Sequence, residues 1–152
     1  MGLAPYGEPV YAGLILEKLI KLRADGAFHV NSDYFNFQAK HKISNKKFND
    51  LFGGPPRKED QRIEKRHKNL ACSVQAVTEI VLMNMVNRLH RETKLENLCM
   101  AGGVALNCVA NRNLGDQFEN IWIMPNPGDA GSSLGAAALQ YGRRLNWRNA
   151  YL

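Results

Sequence analysis

Apolar residues change their period along this chain, and each change marks an element. Pro9 opens a stretch in which Tyr11, Leu14, Ile15, Leu16 and Leu19 return at helical spacing. They predict a short helix within 8–23, running toward an extended segment. Ala24-Asp25-Gly26 is a turn signal, and Phe28, Val30, Tyr34 and Phe35 follow at mostly even spacing, so a hairpin is expected there. Lys46–Phe52 reads as a short helix with Phe48, Leu51 and Phe52 on one side, stopped by Gly53-Gly54-Pro55-Pro56. The strongest helical pattern covers 69–91, where Leu70, Val74, Val77, Val81 and Met85 recur at helical period. Ala76, Ile80, Met83 and Val86 widen that face, which predicts burial on more than one side.

The last third alternates. Leu98-Cys99-Met100-Ala101 reads as a buried strand, Gly102-Gly103 as a turn and Val104–Leu114 as a helix. Ile121-Trp122-Ile123-Met124 reads as a second strand, and Ala130–Arg144 as an Ala-rich helix. Strand, helix, strand, helix with short connections predicts an α/β fold with a parallel layer covered by helices.

Composition adds bounds. The 152 residues are 45% hydrophobic and 22% charged, enough for one core. No uninterrupted apolar run approaches the roughly 20 residues that span a bilayer, so no membrane partner is expected. Met1–Gly7 has no basic stretch followed by an apolar one and is not read as a signal peptide. Cys72, Cys99 and Cys108 lack CxxC spacing and sit among apolar neighbours, as reduced, buried thiols of a cytoplasmic protein would.

The net charge of +6 is concentrated in Lys40, Lys42, Lys46 and Lys47, and in Arg57, Lys58, Arg62, Lys65, Arg66 and Lys68. Such clusters attract nucleic acid or phosphorylated substrates, or simply form a solvated surface. Glu59, Asp60 and Glu64 interrupt the second run and no aromatic residue interleaves it, which argues against nucleic acid.

Chemistry concentrates in two segments, each a strand end followed by glycine and a helix start. In Met100–Asn107, Gly102 and Gly103 allow close backbone approach. Free N–H groups there suit a phosphate, and Asn107 can hydrogen-bond a ribose hydroxyl or phosphate. The alternative is a purely structural turn, and the GxGxxG fingerprint is absent. In Pro125–Gly135, prolines and glycine deliver Asp129 to a helix start. Asp129 is there either an N-cap, with Ser132 three residues on, or a carboxylate ligand to a divalent cation.

Together these segments carry a resemblance. Gly102-Gly103-Val104-Ala105-Leu106-Asn107, Pro127-Gly128-Asp129-Ala130-Gly131 and Leu134-Gly135-Ala136-Ala137 resemble the NodU/CmcH family of O-carbamoyltransferases. Met1–Pro9, Leu51–Arg57 and Asn149-Ala150-Tyr151-Leu152 are similar to it as well, so the resemblance runs through the chain in order. More distantly, the last third is similar to the threonylcarbamoyladenosine synthase of tRNA modification.

The resemblance implies a mixed sheet covered by helices, as one lobe (the second, over 1–152) of an actin-like, ribonuclease H-like ATPase domain. A first lobe would precede it and a YrdC-like domain would follow. It implies ATP and carbamoyl phosphate as sources of carbamoyl adenylate, and transfer of the carbamoyl group to an acceptor hydroxyl of a saccharide or secondary metabolite. It implies an iron-type divalent metal, Fe(2+), held by an HxxxH histidine pair and carboxylates. Asp129 matches the DxG carboxylate, while Gly102, Gly103, Val104 and Asn107 match the nucleotide loop.

His29, His41, His67 and His90 show no HxxxH spacing, so the metal-binding histidines are expected upstream. The fragment alone is expected to be inactive and to self-associate, and no general base is assigned. Two alternatives stay open: a tRNA threonylcarbamoyl transferase-like enzyme, and a non-catalytic nucleotide-binding or oligomerisation module.

Overall fold

The expected first helix forms as α1, Ala12–Lys18, and buries Ile15. Strands β1, Ile20–Leu22, and β2, Phe28–Val30, then pair antiparallel, with Lys21 opposite His29. Their turn is built by local chemistry. Asp25 Oδ1 accepts from the Ala27 amide at 3.0 Å, and Gly26 supplies a φ of 78°. Tyr34 and Phe35, expected to continue the hairpin pattern, lie outside β2: Tyr34 closes a 3-10 turn and Phe35 makes an isolated bridge to Ser44.

The computed structural model describes residues 1–38 and 43–143. Lys40, His41, Lys42, Arg144 and the segment Asn149–Leu152 lie outside the described residues. The chain divides into two units, 1–88 and 89–152.

In the first unit, α2, Lys46–Leu51, starts where Asn45 Oδ1 accepts from the Phe48 amide at 3.2 Å, an ordinary N-cap. The core joins Ile15, Leu19, Phe52 and Val77. Phe52 is 2% exposed, with the Phe48 and Tyr11 rings at 4.7 and 5.5 Å. Helix α3, Lys65–Thr93, begins earlier than the apolar period predicts. It is long and apolar enough to cross a membrane by length and composition, yet it carries Val77 into this core. It also buries the polar Asn69, Ser73 and Gln75.

Ser73 joins the start of the chain to α3: its hydroxyl donates to Asn69 O at 2.7 Å and accepts from the Tyr11 amide at 3.0 Å. Two arginines organise the loop between α2 and α3. Arg66 donates to the carbonyls of Phe52, Gly54 and Pro55. Arg57 donates to those of Lys58, Glu59 and Gln61.

Among the described residues α3 is not covered on every side. Val74, Ile80 and Met85 remain 49%, 42% and 46% exposed, while the covered side runs through Asn69, Ser73, Val77 and Val86, with Leu70 and Val81 packed against the core.

In the second unit, β3, Asn97–Met100, and β4, Asn120–Ile123, pair in parallel, with Leu98 opposite Ile121. The connection buries Ala105, Ala110, Leu114 and Phe118. It is not the single helix expected over 104–114. A 3-10 turn, Gly103–Leu106, precedes α4, Cys108–Asn111, and a second 3-10 turn, Arg112–Asp116, follows. The break is Asn107, whose φ of −79° and ψ of 81° leave the helical region, while its side chain restarts the helix as a cap.

Helix α5, Asp129–Tyr141, follows β4 and ends at Gly142 in the left-handed region. Gly131 is its buried residue, and Leu139 is 86% exposed. The cysteines also differ from expectation: Cys72 is half-buried, but Cys99 and Cys108 are exposed, since each falls on the uncovered side of its element.

Candidate functional site

A parallel pair leaves its carboxyl ends at one edge, and here both ends carry the glycine-rich turns. The pairing continues past the strands, with the Met124 amide donating to Met100 O at 3.2 Å. Beyond the last rung, the Gly102 amide donates to Pro127 O at 2.6 Å. A side chain on Gly128 would come within 3.9 Å of Gly103 Cα, so the two turns approach backbone to backbone. The structure thus brings Gly102 and Gly103 beside the loop that ends in Asp129.

The glycines have different physical reasons. Gly102 has φ 98° and ψ 160°, a conformation that side chains disfavour. Gly103 has no positive φ, and nothing lies within 4 Å of where its Cβ would stand. Packing among the described residues therefore does not require glycine at 103; open space above the backbone is what it preserves. The amides of Gly103 and Val104 open the 3-10 turn and meet no backbone acceptor among the described residues. Val104 itself is 58% exposed.

Asn107 sits at the end of that turn. Its Oδ1 accepts from the Ala110 amide at 3.2 Å, so one of its polar atoms has a structural role as the cap of α4. Asn111, which sequence reasoning missed, fixes the same turn from behind: its Nδ2 donates to Ala105 O at 2.7 Å. Asn111 Oδ1 is buried without a hydrogen-bond partner among the described residues. Its spacing one helical turn after Asn107 was the available signal.

Asp129 opens α5, but not as a cap. Gly128 holds the N-cap position, and no side chain caps the helix. The Asp129 backbone carbonyl accepts from Ser132 Oγ at 2.6 Å, while its carboxylate is exposed with no hydrogen bond or ion pair among the described residues. The N-cap alternative is thereby corrected: the Pro127-Gly128 turn places the cap one residue earlier. Gly131 is needed for close approach, since a Cβ there would meet the Asn126 carbonyl oxygen. Asn126 adopts φ 59°, a conformation asparagine tolerates.

Chemically, the edge offers unclaimed backbone donors beside one unclaimed carboxylate. A phosphate close to Asp129 would be repelled by it unless a cation lay between them. Among the described residues no group of three or more His, Cys, Asp or Glu comes together. Asp129 is therefore a single exposed carboxylate at this edge, not a member of a carboxylate, histidine or cysteine cluster among the described residues.

Several known proteins are similar to this chain in sequence. An uncharacterized protein of Synechocystis sp., sll1178, is 52% identical over 90% of this chain, which covers 23% of that protein. The nodulation protein NolO of Bradyrhizobium diazoefficiens is 28% identical over 91% of the chain, covering 24% of that protein. The nodulation protein NolNO of Sinorhizobium fredii is 29% identical over 91%, covering 19%. The chain thus spans less than a quarter of the length of each of these relatives. Residues 1–138 match the family described as Carbamoyltransferase N-terminus, and the chain belongs to that family.

Proposed function

We propose that this chain is part of an O-carbamoyltransferase that moves a carbamoyl group from carbamoyl adenylate to an acceptor hydroxyl. The observation that carries the reading is the Gly102–Pro127 hydrogen bond, which sets an open glycine turn and a free carboxylate at one edge. The fold we propose for the whole is an actin-like ATPase domain, of which this chain is the second lobe. In the reaction, the acceptor oxygen bonds to the carbamoyl carbon. The bond from that carbon to the adenylate oxygen breaks, and AMP leaves with the electron pair. The hydroxyl proton passes to a base outside the residues assigned here.

In this reading Gly102 and Gly103 let the nucleotide approach the backbone, and the Gly103 and Val104 amides donate to it. Asn107, beyond its capping role, would position the same group. Asp129 would hold a divalent metal, Fe(2+), which supplies electrostatic stabilisation of developing negative charge when bound. ATP, carbamoyl phosphate and a saccharide or secondary-metabolite acceptor, in a cytoplasmic setting, complete the proposal.

Metal analysis of the full-length protein and its Asp129→Asn variant tests the assignment. The variant should fold, losing only about 0.3–1 kcal/mol of helix-dipole stabilisation, while its bound metal falls sharply. A folded variant with undiminished metal would remove Asp129 from the site.

A further inference from the structure

The first turn of α3 runs against the usual electrostatics of helices. It opens Lys65-Arg66-His67-Lys68 with no acid among them, although a helix N-terminus carries partial positive charge and disfavours cations. Two of these residues are accounted for. Arg66 is committed to the carbonyls of the 52–55 turn. His67 Nδ1 accepts from the Glu64 amide at 3.0 Å, in the position of a capping-box acceptor.

The two lysines are held more loosely. Lys65 Nζ stands 3.9 Å from Glu8 Oε2, both side chains being largely exposed. Lys68 has no side-chain hydrogen bond or ion pair among the described residues. Both line a pocket of about 480 Å³. Its opposite wall is Pro5-Tyr6-Gly7-Glu8, and Asn69 lines it as well.

This wall is fixed in place. Gly7 lies so close to α3 that a Cβ there would meet the Lys68 carbonyl oxygen. The Glu8 amide donates to Asn69 Oδ1 at 3.0 Å. Asn69 is 7% exposed, and its Nδ2 has no acceptor among the described residues. Tyr6 is 72% exposed beside it. A buried amide with unclaimed N–H groups, Lys68 without a side-chain partner among the described residues and Lys65 held only at 3.9 Å by Glu8 thus line one concavity beside the first turn of α3.

We propose that this pocket binds a phosphoryl group, carried by free phosphate or by a phosphorylated small molecule. Lys65 and Lys68 act as point charges, the role lysine fills in phosphate sites. Asn69 Nδ2 is a neutral donor, and the Tyr6 ring is a surface for the remainder of a larger ligand. Glu8, the one acid in the pocket, offsets only one of the two lysines and can accept from a ligand hydroxyl. The site lies within residues 1–88 and involves none of the residues proposed to hold nucleotide or metal.

Lysine-acetylation footprinting of the full chain, read by mass spectrometry, tests this with inorganic phosphate and with AMP. Modification of Lys65 and Lys68 should fall about threefold when phosphate stands near twice its Kd, with Lys46, Lys47 and Lys58 unchanged. In Lys68→Gln the protection of Lys65 should disappear, and the Asp129→Asn variant should retain it. Stronger protection by AMP assigns a phosphorylated small molecule, whereas equal protection assigns free phosphate. Absence of protection, the same protection at Lys46, Lys47 and Lys58, or equal protection by sodium chloride at matched ionic strength would overturn the proposal.

Discussion

The amide of Gly102 donates to the carbonyl of Pro127 across 2.6 Å, binding the turn after β3 to the loop after β4. The bond falls three residues out of the β3–β4 register, so it joins loop to loop and ties the two turns together beyond the last rung of the ladder. A ligand meeting this edge would meet backbone set in advance, which lowers the ordering cost of binding.

Adjacent glycines in this edge should respond in opposite ways to an added methyl group. Gly102→Ala forces a side chain into φ 98° and should cost about 1–3 kcal/mol in a urea titration. Gly103→Ala meets open space and should shift stability by no more than about 0.5 kcal/mol. If the space above Gly103 belongs to a nucleotide, calorimetry of the full-length protein with ATP should show weakened binding in Gly103→Ala. Unchanged affinity would leave that glycine without a ligand role.

Asn107 needs two variants to separate its roles. Asn107→Ala removes the cap of α4 and should lose about 1 kcal/mol of stability. Asn107→Ser keeps a capping oxygen and should recover most of that loss. ATP affinity should fall in both, because serine does not restore the amide. Full affinity in the folded alanine variant would confine Asn107 to the fold.

Much of this was legible locally. The β3 and β4 segments, the β1–β2 turn at Asp25-Gly26 and the body of α3 all follow from period and turn chemistry close in sequence. The misses came from decisions made across the fold. Val104–Leu114 has the composition of a helix, but Asn107 leaves the helical region and caps the next segment instead. Asp129 has the right chemistry for a cap, yet the Pro127-Gly128 turn gives that position to Gly128. Cys99 alternates outward in β3, and only the sheet's covering could reveal that this side is open. The start of α3 was missed because its first turn is basic, against the usual preference.

Helix α5 offers a second glycine pair with opposite expectations. Gly131→Ala should cost about 1–3 kcal/mol, because its Cβ collides with the Asn126 carbonyl. Gly135→Ala meets nothing within 4 Å and should gain up to about 1 kcal/mol from helix propensity. Thermal denaturation of the two variants checks both signs together. A stabilised Gly131→Ala protein would show that the loop before α5 yields without penalty.

Ser73 is fully buried and serves two partners. Ser73→Ala leaves the Tyr11 amide without its acceptor and should cost about 1–3 kcal/mol. Ser73→Thr keeps the hydroxyl and tests whether hydrogen bonding or volume governs the site. Amide exchange at Tyr11 is the local readout: faster exchange is expected in the alanine variant, and an unaltered rate would mean that another group holds that N–H.

The loop between α2 and α3 derives its order from guanidinium groups rather than from a backbone ladder. Arg57 and Arg66 together gather the carbonyls of Phe52, Gly54, Pro55, Lys58, Glu59 and Gln61. A denaturant that presents the same planar donor in free solution competes directly for those oxygens. Guanidinium chloride should therefore make this loop susceptible to proteolysis before the helices melt, whereas urea should loosen loop and helices together. For this segment the identity of the denaturant, and not only its strength, selects which part of the protein gives way first.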